Sequence, residues 1–284
     1  MKIYDSFLFY NELDILEIRL NELNDVVDYF ILVESSVTHQ GVSKPFIFDE
    51  NKERFAKFLD KIIHIKVTDT PDDFSIVPTE FEDSPDGRFL NDTWNFIQTT
   101  SAFNRFTQPH YGRIFFQREC QKRGMFNCSD EDIILSSDVD EIPNPEYLSR
   151  LNEYFEKDLL YTFNQSKYCY ALNLLFKSHN DNTSYNRVQN YNWKGSRMGS
   201  YNIIKNYSTN LLRNQDNNDL VNSGWHFSYC GGETVVNEKI AASDGSGYSN
   251  EAAMVRSNLT KVEVDSSFPT YLVNNLEKYK HLLE

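Results

Sequence analysis

Ile133-Ile134-Leu135-Ser136-Ser137-Asp138-Val139-Asp140-Glu141-Ile142-Pro143 is the stretch on which the reading of this chain turns. An apolar run ends in three carboxylates, and Pro143 stops the run from continuing as strand. In a parallel α/β sheet the carboxyl ends of the strands face the ligand crevice. Carboxylates gathered there repel one another unless something cationic joins them. A hard divalent cation carrying a diphosphate is the guest that fits, because Mg²⁺-type ions pair one or two carboxylates with phosphate oxygens. Asp138 and Asp140 stand two apart, so on an extended backbone their side chains point the same way. One could then hold the metal while the other reaches a sugar or ribose hydroxyl. The competing reading is an acidic turn that caps the helix after it.

Upstream, residues 3–9 read as a strand, and Leu13, Leu16, Leu20 and Leu23 recur at helical spacing over about 11–27. Tyr29 to Val33 is a buried strand ending at Glu34. Phe55, Phe58 and Leu59 mark a second helix, and Ile62 to Val67 a third strand. This β-α-β-α-β alternation predicts an α/β fold with a mostly parallel central sheet flanked by helices. Residues 69–92 break the pattern with Pro71, Pro78 and Pro85, eight Asp/Glu and a single basic residue, Arg88. They are expected to form an acidic loop, insertion or lid. Helices are expected over about 93–106 and 110–124. Downstream, Pro145 begins another helix, 159–176 holds one or two strands, and 177–222 reads as polar surface loops. Gly224 to Tyr229 is an apolar segment, and helices over about 234–242, 250–258 and 271–283 close the chain. With no internal repeat or low-complexity linker, residues 1–284 are expected to form a single domain.

Of the 284 residues, 40% are hydrophobic and 14% aromatic, enough for a sizeable core. A net charge of −14 argues against nucleic acid and against an anionic membrane surface as partners. Met1-Lys2-Ile3-Tyr4-Asp5 leads straight into a strand without the apolar run of a signal peptide. No stretch approaches the roughly 20 apolar residues that span a bilayer. The expectation is therefore a soluble, cytoplasmic protein. Four cysteines without a C-x-x-C pair are expected as buried free thiols rather than a zinc site.

Other residues gather around the acidic cluster. His226, in Gly224-Trp225-His226-Phe227-Ser228-Tyr229-Cys230, is a lone histidine of the kind that is usually structural. Beside the carboxylates it would add a nitrogen ligand and favour Mn²⁺ over Mg²⁺. Asp5 and Glu34 lie on strands whose ends could project into the crevice, where a base or ribose is often held. A structural role for Asp5 is equally open. Arg118, in Phe116-Gln117-Arg118, offers a donor fork for a diphosphate, or a surface ion pair. Gly231-Gly232 and Gly245-Ser246-Gly247 read as loop hinges or as ordinary turns.

Taken in order, several segments resemble glycosyltransferase family 17, the N-acetylglucosaminyltransferases that add the bisecting sugar to N-glycans. They are Tyr4-Asp5-Ser6-Phe7, Asn21-Glu22-Leu23, Val26-Val27-Asp28, Val33-Glu34-Ser35 with Thr38, Phe116-Gln117-Arg118, Asp138 to Pro143, and Gly224-Trp225-His226-x-Ser228-x-Cys230. The resemblance implies an A-type, Rossmann-like glycosyltransferase fold, with a nucleotide-sugar half over about 1–143 and an acceptor and metal half over about 144–284. It implies an inverting transfer from a UDP-sugar, such as UDP-GlcNAc, to a glycan hydroxyl. Asp138, Asp140 and His226 would hold Mn²⁺ or Mg²⁺, and Glu34, Asp5, Arg118 and Asp138 would lie against the donor. The attacking hydroxyl needs a carboxylate base. Glu233 is the first candidate, with Glu141, Asp244 and Glu251 as rivals. Two other readings remain. A strand followed by D-x-D also describes the nucleophile loop of haloacid-dehalogenase-type phosphatases. Alternatively Tyr168, Tyr170, Trp193 and Tyr201 could be the stacking platforms of a non-catalytic glycan-binding protein.

Overall fold

The apolar runs become strands of one sheet with both faces covered. The computed structural model describes residues 1–76, 78–176, 188–189, 192–215, 218–242 and 258–284. Strands β1 (Ile3–Leu8), β2 (Tyr29–Ser35), β3 (Ile62–Val67) and β4 (Ile133–Asp138) lie in the order β3-β2-β1-β4, all parallel. Alternate residues of β2 show why the strands are apolar throughout. Phe30 and Leu32 pack with Leu16, Leu20 and Leu23 of the helix Leu13–Leu23. Ile31 and Val33 pack on the other face with Phe89, Trp94, Ile97 and Phe116. A strand buried on both faces has no polar side to alternate with. The fold is the expected α/β, Rossmann-like arrangement.

Beyond β4 the sheet is mixed. The remaining strands are β5 (Glu141–Pro143), β6 (Tyr161–Cys169), β7 (Leu174–Phe176), β8 (Val188–Gln189), β9 (Asn192–Ser200), β10 (Asn218–Leu220), β11 (Gly224–Ser228) and β12 (Leu259–Lys261). The long path runs β12-β7-β6-β9-β4-β1-β2-β3. β9 is antiparallel to both β4 and β6. This corrects the reading of 177–222 as surface loops. β9 is central, yet its sequence is polar because its buried polar groups find partners. Arg197 donates to the carbonyls of Gly195 (2.6 Å) and Arg213 (2.5 Å), and Ser196 Oγ to that of Glu141 (3.0 Å). The remaining residues of 177–222 that lie outside the described ones are 177–187, 190–191 and 216–217.

Helix boundaries also shift. Pro85–Thr99 begins inside the expected acidic loop, because Ser84 caps it by accepting from Gly87 N (3.0 Å) and Pro85 supplies its first turn. Pro109–Glu119 follows, then a 3₁₀ turn over Cys120–Met125. Gly232–Ala242 forms as expected, whereas the helix expected over 250–258 falls almost wholly outside the described residues. Cys120 and Cys169 are buried, Cys128 and Cys230 half-buried, and none of the four forms a disulfide. Among the described residues no helix is long and apolar enough to cross a membrane.

The C-terminal segment is tied to the first helix by charge. Arg54 and His281 pair with Asp14, and Arg54 and Lys278 with Glu17. Burial alone would raise both carboxyls, but Arg54 with His281 or Lys278 holds Asp14 and Glu17 below the usual carboxylate range. A depressed folded pKa stabilises fully above the unfolded value and stops doing so as pH falls through the folded one. Melting temperature should therefore drop on acidification below about pH 4, the unfolded carboxylate range. The drop should be shallower in Arg54→Met, measured by thermal melts from pH 6 to 3. Parallel curves for the two proteins would contradict this assignment.

Candidate functional site

The acidic cluster sits at the carboxyl end of β4, beside the end of β1, where Arg19 fixes its backbone. Arg19 lies on the buried face of the first helix and is fully shielded from solvent. Its Nε and Nη2 grip the Asp5 carboxylate at 2.8 and 2.6 Å, and Nη2 also reaches Ser137 Oγ at 2.7 Å. Nη1 donates to the carbonyls of Asp138 (3.1 Å), Val139 (3.2 Å) and Glu141 (2.8 Å). One guanidinium thus pins the loop that presents the carboxylates. Asp5 does not project into the crevice; of the two roles left open for it, it takes the structural one, as the buried counter-ion of Arg19. Glu34 is likewise withdrawn. Its carboxylate is fully buried and accepts from Lys44 Nζ (2.9 Å), Ile47 N (2.6 Å) and Phe48 N (3.3 Å), with His64 Nε2 at 3.2 Å.

β11 supplies the other wall. It runs antiparallel to β5, with His226 opposite Glu141, and Phe227 N donates to the Asp140 carbonyl (2.8 Å). This register sets His226 Nε2 3.7 Å from Asp140 Oδ1. Lys239, on the helix Gly232–Ala242, approaches the other oxygen, Oδ2, at 3.2 Å and bridges to Glu12 Oε1 at 2.8 Å. The turn between β11 and that helix needs Tyr229 at φ +55° and Gly231 at φ +133°. A Cβ at Gly231 would stand 2.8 Å from the Val235 side chain, so only glycine fits.

The three carboxylates have different environments. Asp138 is half-buried and lies between Arg118 (3.0 Å) and Arg213 (3.2 Å). Burial would raise its carboxyl, but the two guanidiniums hold it low. Glu141 is fully buried. Arg213 forks onto it at 2.7 and 2.9 Å, Trp193 Nε1 donates at 2.6 Å, and Asp138 N at 3.0 Å. Burial would raise this carboxyl too, but Arg213 and Trp193 more than offset it and keep Glu141 well below the usual range. A carboxylate so saturated cannot take a proton from an acceptor, which corrects Glu141 as a candidate base. Asp140 goes the other way. Burial, only partly relieved by Lys239 and reinforced by Glu12, Asp138 and Glu141, raises its carboxyl to about 6. Burial lowers the His226 imidazole to about 3, so it is neutral near pH 7.

These features bear on a metal. Among the described residues no three His, Cys, Asp or Glu side chains form a group that could by itself cage an ion. Asp140 and His226 nevertheless suit one held partly by phosphate oxygens. Asp140 is a buried carboxylate only partly neutralised by Lys239, and His226 is a neutral imidazole whose Nε2 stands 3.7 Å from Asp140 Oδ1. Asp138 suits it less, since two arginines already occupy its carboxylate.

Residues 1–85 match the family model described as glycosyltransferase family 17. Over that segment the resemblance read from the sequence is borne out. The matched residues carry Asp5, Arg19 and Glu34, whereas Asp138 to Pro143 and His226 lie beyond them. The chain is also 26% identical over 144 residues to the Rattus norvegicus protein named beta-1,4-mannosyl-glycoprotein 4-beta-N-acetylglucosaminyltransferase, covering 50% of this chain and 22% of that relative. It is 27% identical over 135 residues to the Homo sapiens protein of the same name, covering 47% and 20%. The matches thus span about a fifth of those relatives' length.

Sequence reasoning missed Glu12, Arg19, His39, Arg213 and Lys239. Arg19 carried a signal, being a cation inside the apolar stripe of a helix and therefore in need of a buried anion. His39 stands in the electrostatic reach of Arg118, Asp138, Glu12 and Lys239, and burial with Arg118 lowers it to about 4. Glu233 begins the helix that carries Lys239, but its side chain, like Asp244 and Glu251, lies outside the described residues. The proposed stacking aromatics Tyr168 and Tyr170 are core residues. Trp193 is half-buried and packs on His226, ring centroids 4.7 Å apart.

Arg19→Met would leave Asp5 buried without its cation. The variant should lose about 3–5 kcal/mol of stability, the scale for breaking a buried pair. Asp5→Leu with Arg19→Met should lose less than the sum of the single changes. Urea midpoints measure both, and a wild-type midpoint for Arg19→Met would contradict the pinning role.

Proposed function

We propose that this chain is an inverting glycosyltransferase. It would move a sugar from a UDP-sugar to a glycan hydroxyl with a divalent cation, Mn²⁺ ahead of Mg²⁺, at Asp140 and His226. The observation that carries the reading is a buried, only partly neutralised carboxylate beside a neutral imidazole. Asp140 and neutral His226 face each other at the β4 end, with Arg118 and Lys239 alongside. The partial match to family 17, whose named relatives are N-acetylglucosaminyltransferases, supports the same class.

The residues divide the work by charge. When bound, the cation would neutralise the charge that develops on the departing diphosphate. Arg118 is a planar donor fork beside Asp138 and is placed to share that load. Asp138, kept ionised by two guanidiniums, is an acceptor for a sugar or ribose hydroxyl. Trp193 offers a ring face beside His226. Transfer forms the bond between the acceptor oxygen and the sugar C1 and breaks the bond between C1 and the diphosphate oxygen, which keeps the electron pair. The acceptor proton passes to a carboxylate base. Glu233 is proposed for that role on its chain position, just after β11 and at the head of the helix bearing Lys239.

A phosphatase reading gains no observation of its own. It needs Asp138 as a free nucleophile, and the two guanidiniums around Asp138 lower its reactivity.

Asp140→Asn should stay folded by circular dichroism and lose at least about 100-fold in transfer, the scale of a single electrostatic catalytic group. Near-wild-type turnover would overturn the proposal. Calorimetry with UDP should show tighter binding in Mn²⁺ than in EDTA, and equal affinities would remove the metal. Glu233→Gln should lower kcat by about 100-fold or more with little change in KM, the range for a general base. Unchanged kcat would return the base to Asp244 or Glu251.

A further inference from the structure

Lys239 sits where the ends of two neighbouring parallel strands meet. Its ammonium bridges Glu12, in the loop after β1, and Asp140, in the loop after β4. That junction is where open α/β sheets bind nucleotides. Glu12 is itself fixed there, its Oε2 accepting from Tyr10 N and Asn11 N at 3.1 Å each. Lys239 Nζ also lies 5.3 Å from the centroid of the Tyr229 ring, in the turn that leads from His226 to the helix. The side chain keeps 24% of its surface exposed, and its ammonium stands between the two loops that meet at this junction.

Among the described residues, carboxylates and cations crowd this junction, with Lys167 also in reach of His226. Glu12, Asp138, Asp140 and Glu141 face Arg118, Arg213 and Lys239. Arg213 is spent on Glu141 and Asp138. A diphosphate entering this crevice adds further negative charge, and Lys239 is the cation nearest Asp140. It approaches Oδ2, while His226 stands at Oδ1.

Resting on the glycosyltransferase reading, we propose that Lys239 is a diphosphate-binding residue. With the crevice open its ammonium neutralises Asp140 and Glu12. With donor bound it donates to an oxygen of the diphosphate and bears part of the charge released when the bond from C1 breaks. A purely structural lysine would tie the helix to the loops without distinguishing ligands by phosphate count.

The test is calorimetric titration of wild type, Lys239→Met, Lys239→Arg and the charge-balanced Glu12→Gln/Lys239→Met with UDP, UMP and uridine, each in Mn²⁺ and in EDTA. Lys239→Met should weaken UDP about tenfold or more, the scale of one charge-assisted hydrogen bond. It should weaken UMP less and leave uridine unchanged, in both buffers. The double variant should remain folded and show the same ligand order, and Lys239→Arg should retain part of the affinity for UDP. Methylammonium should restore part of the turnover of Lys239→Ala. Equal losses for all three ligands, or no loss in a folded variant, would overturn the role of Lys239 while leaving the glycosyltransferase reading intact. Wild type that binds none of the three would overturn both.

Discussion

A single buried guanidinium organises this molecule. Arg19 leaves the apolar stripe of its helix to meet Asp5 in the middle of β1, and its remaining donors take Ser137 and three carbonyls of the Asp138–Glu141 loop. Loop carbonyls that face inward must be paired or they cost free energy. Here they are paired to a planar fork that is fully buried, packs on the Phe7 ring and is held by Asp5. The loop therefore holds one shape before any ligand arrives, and preorganisation of that kind is what electrostatic catalysis requires.

Around this anchor the acidic residues take three roles by environment alone. Glu141 is a structural anion, saturated by Arg213 and Trp193. Asp138 is an ionised acceptor between two guanidiniums. Asp140 is left with Lys239 on one oxygen and neutral His226 near the other. Carboxylates so close in sequence would repel in isolation, and the flanking cations separate their functions. β9 makes this possible. It brings Trp193 to Glu141, and Arg197 holds the Arg213 carbonyl.

What the sequence revealed follows from range. The apolar strands, the Leu13–Leu23 helix and the acidic cluster before Pro143 are local patterns, and each lies where the pattern placed it. β9 escaped notice because its buried polar residues find partners a local pattern does not show: Ser196 bonds to Gln165 and Glu141, distant in the chain, and Arg197 bonds to Arg213 as well as to its neighbour Gly195. Lys239 and Arg213 sit in unremarkable local contexts and reach the crevice only through β11 and the β9–β10 segment. Asp5, left open between two roles, and Glu34, expected in the crevice, show the converse limit. Their strand positions were read correctly, but a strand position does not reveal whether Arg19 or Lys44 already occupies the carboxylate.

The most direct test of the account is a crystal structure with UDP and Mn²⁺, with anomalous scattering used to find the metal. The account predicts an anomalous peak bonded to Asp140 and His226, with the diphosphate between that peak and Arg118. Mn²⁺ bound elsewhere, or UDP seated away from the β4 end, would contradict it.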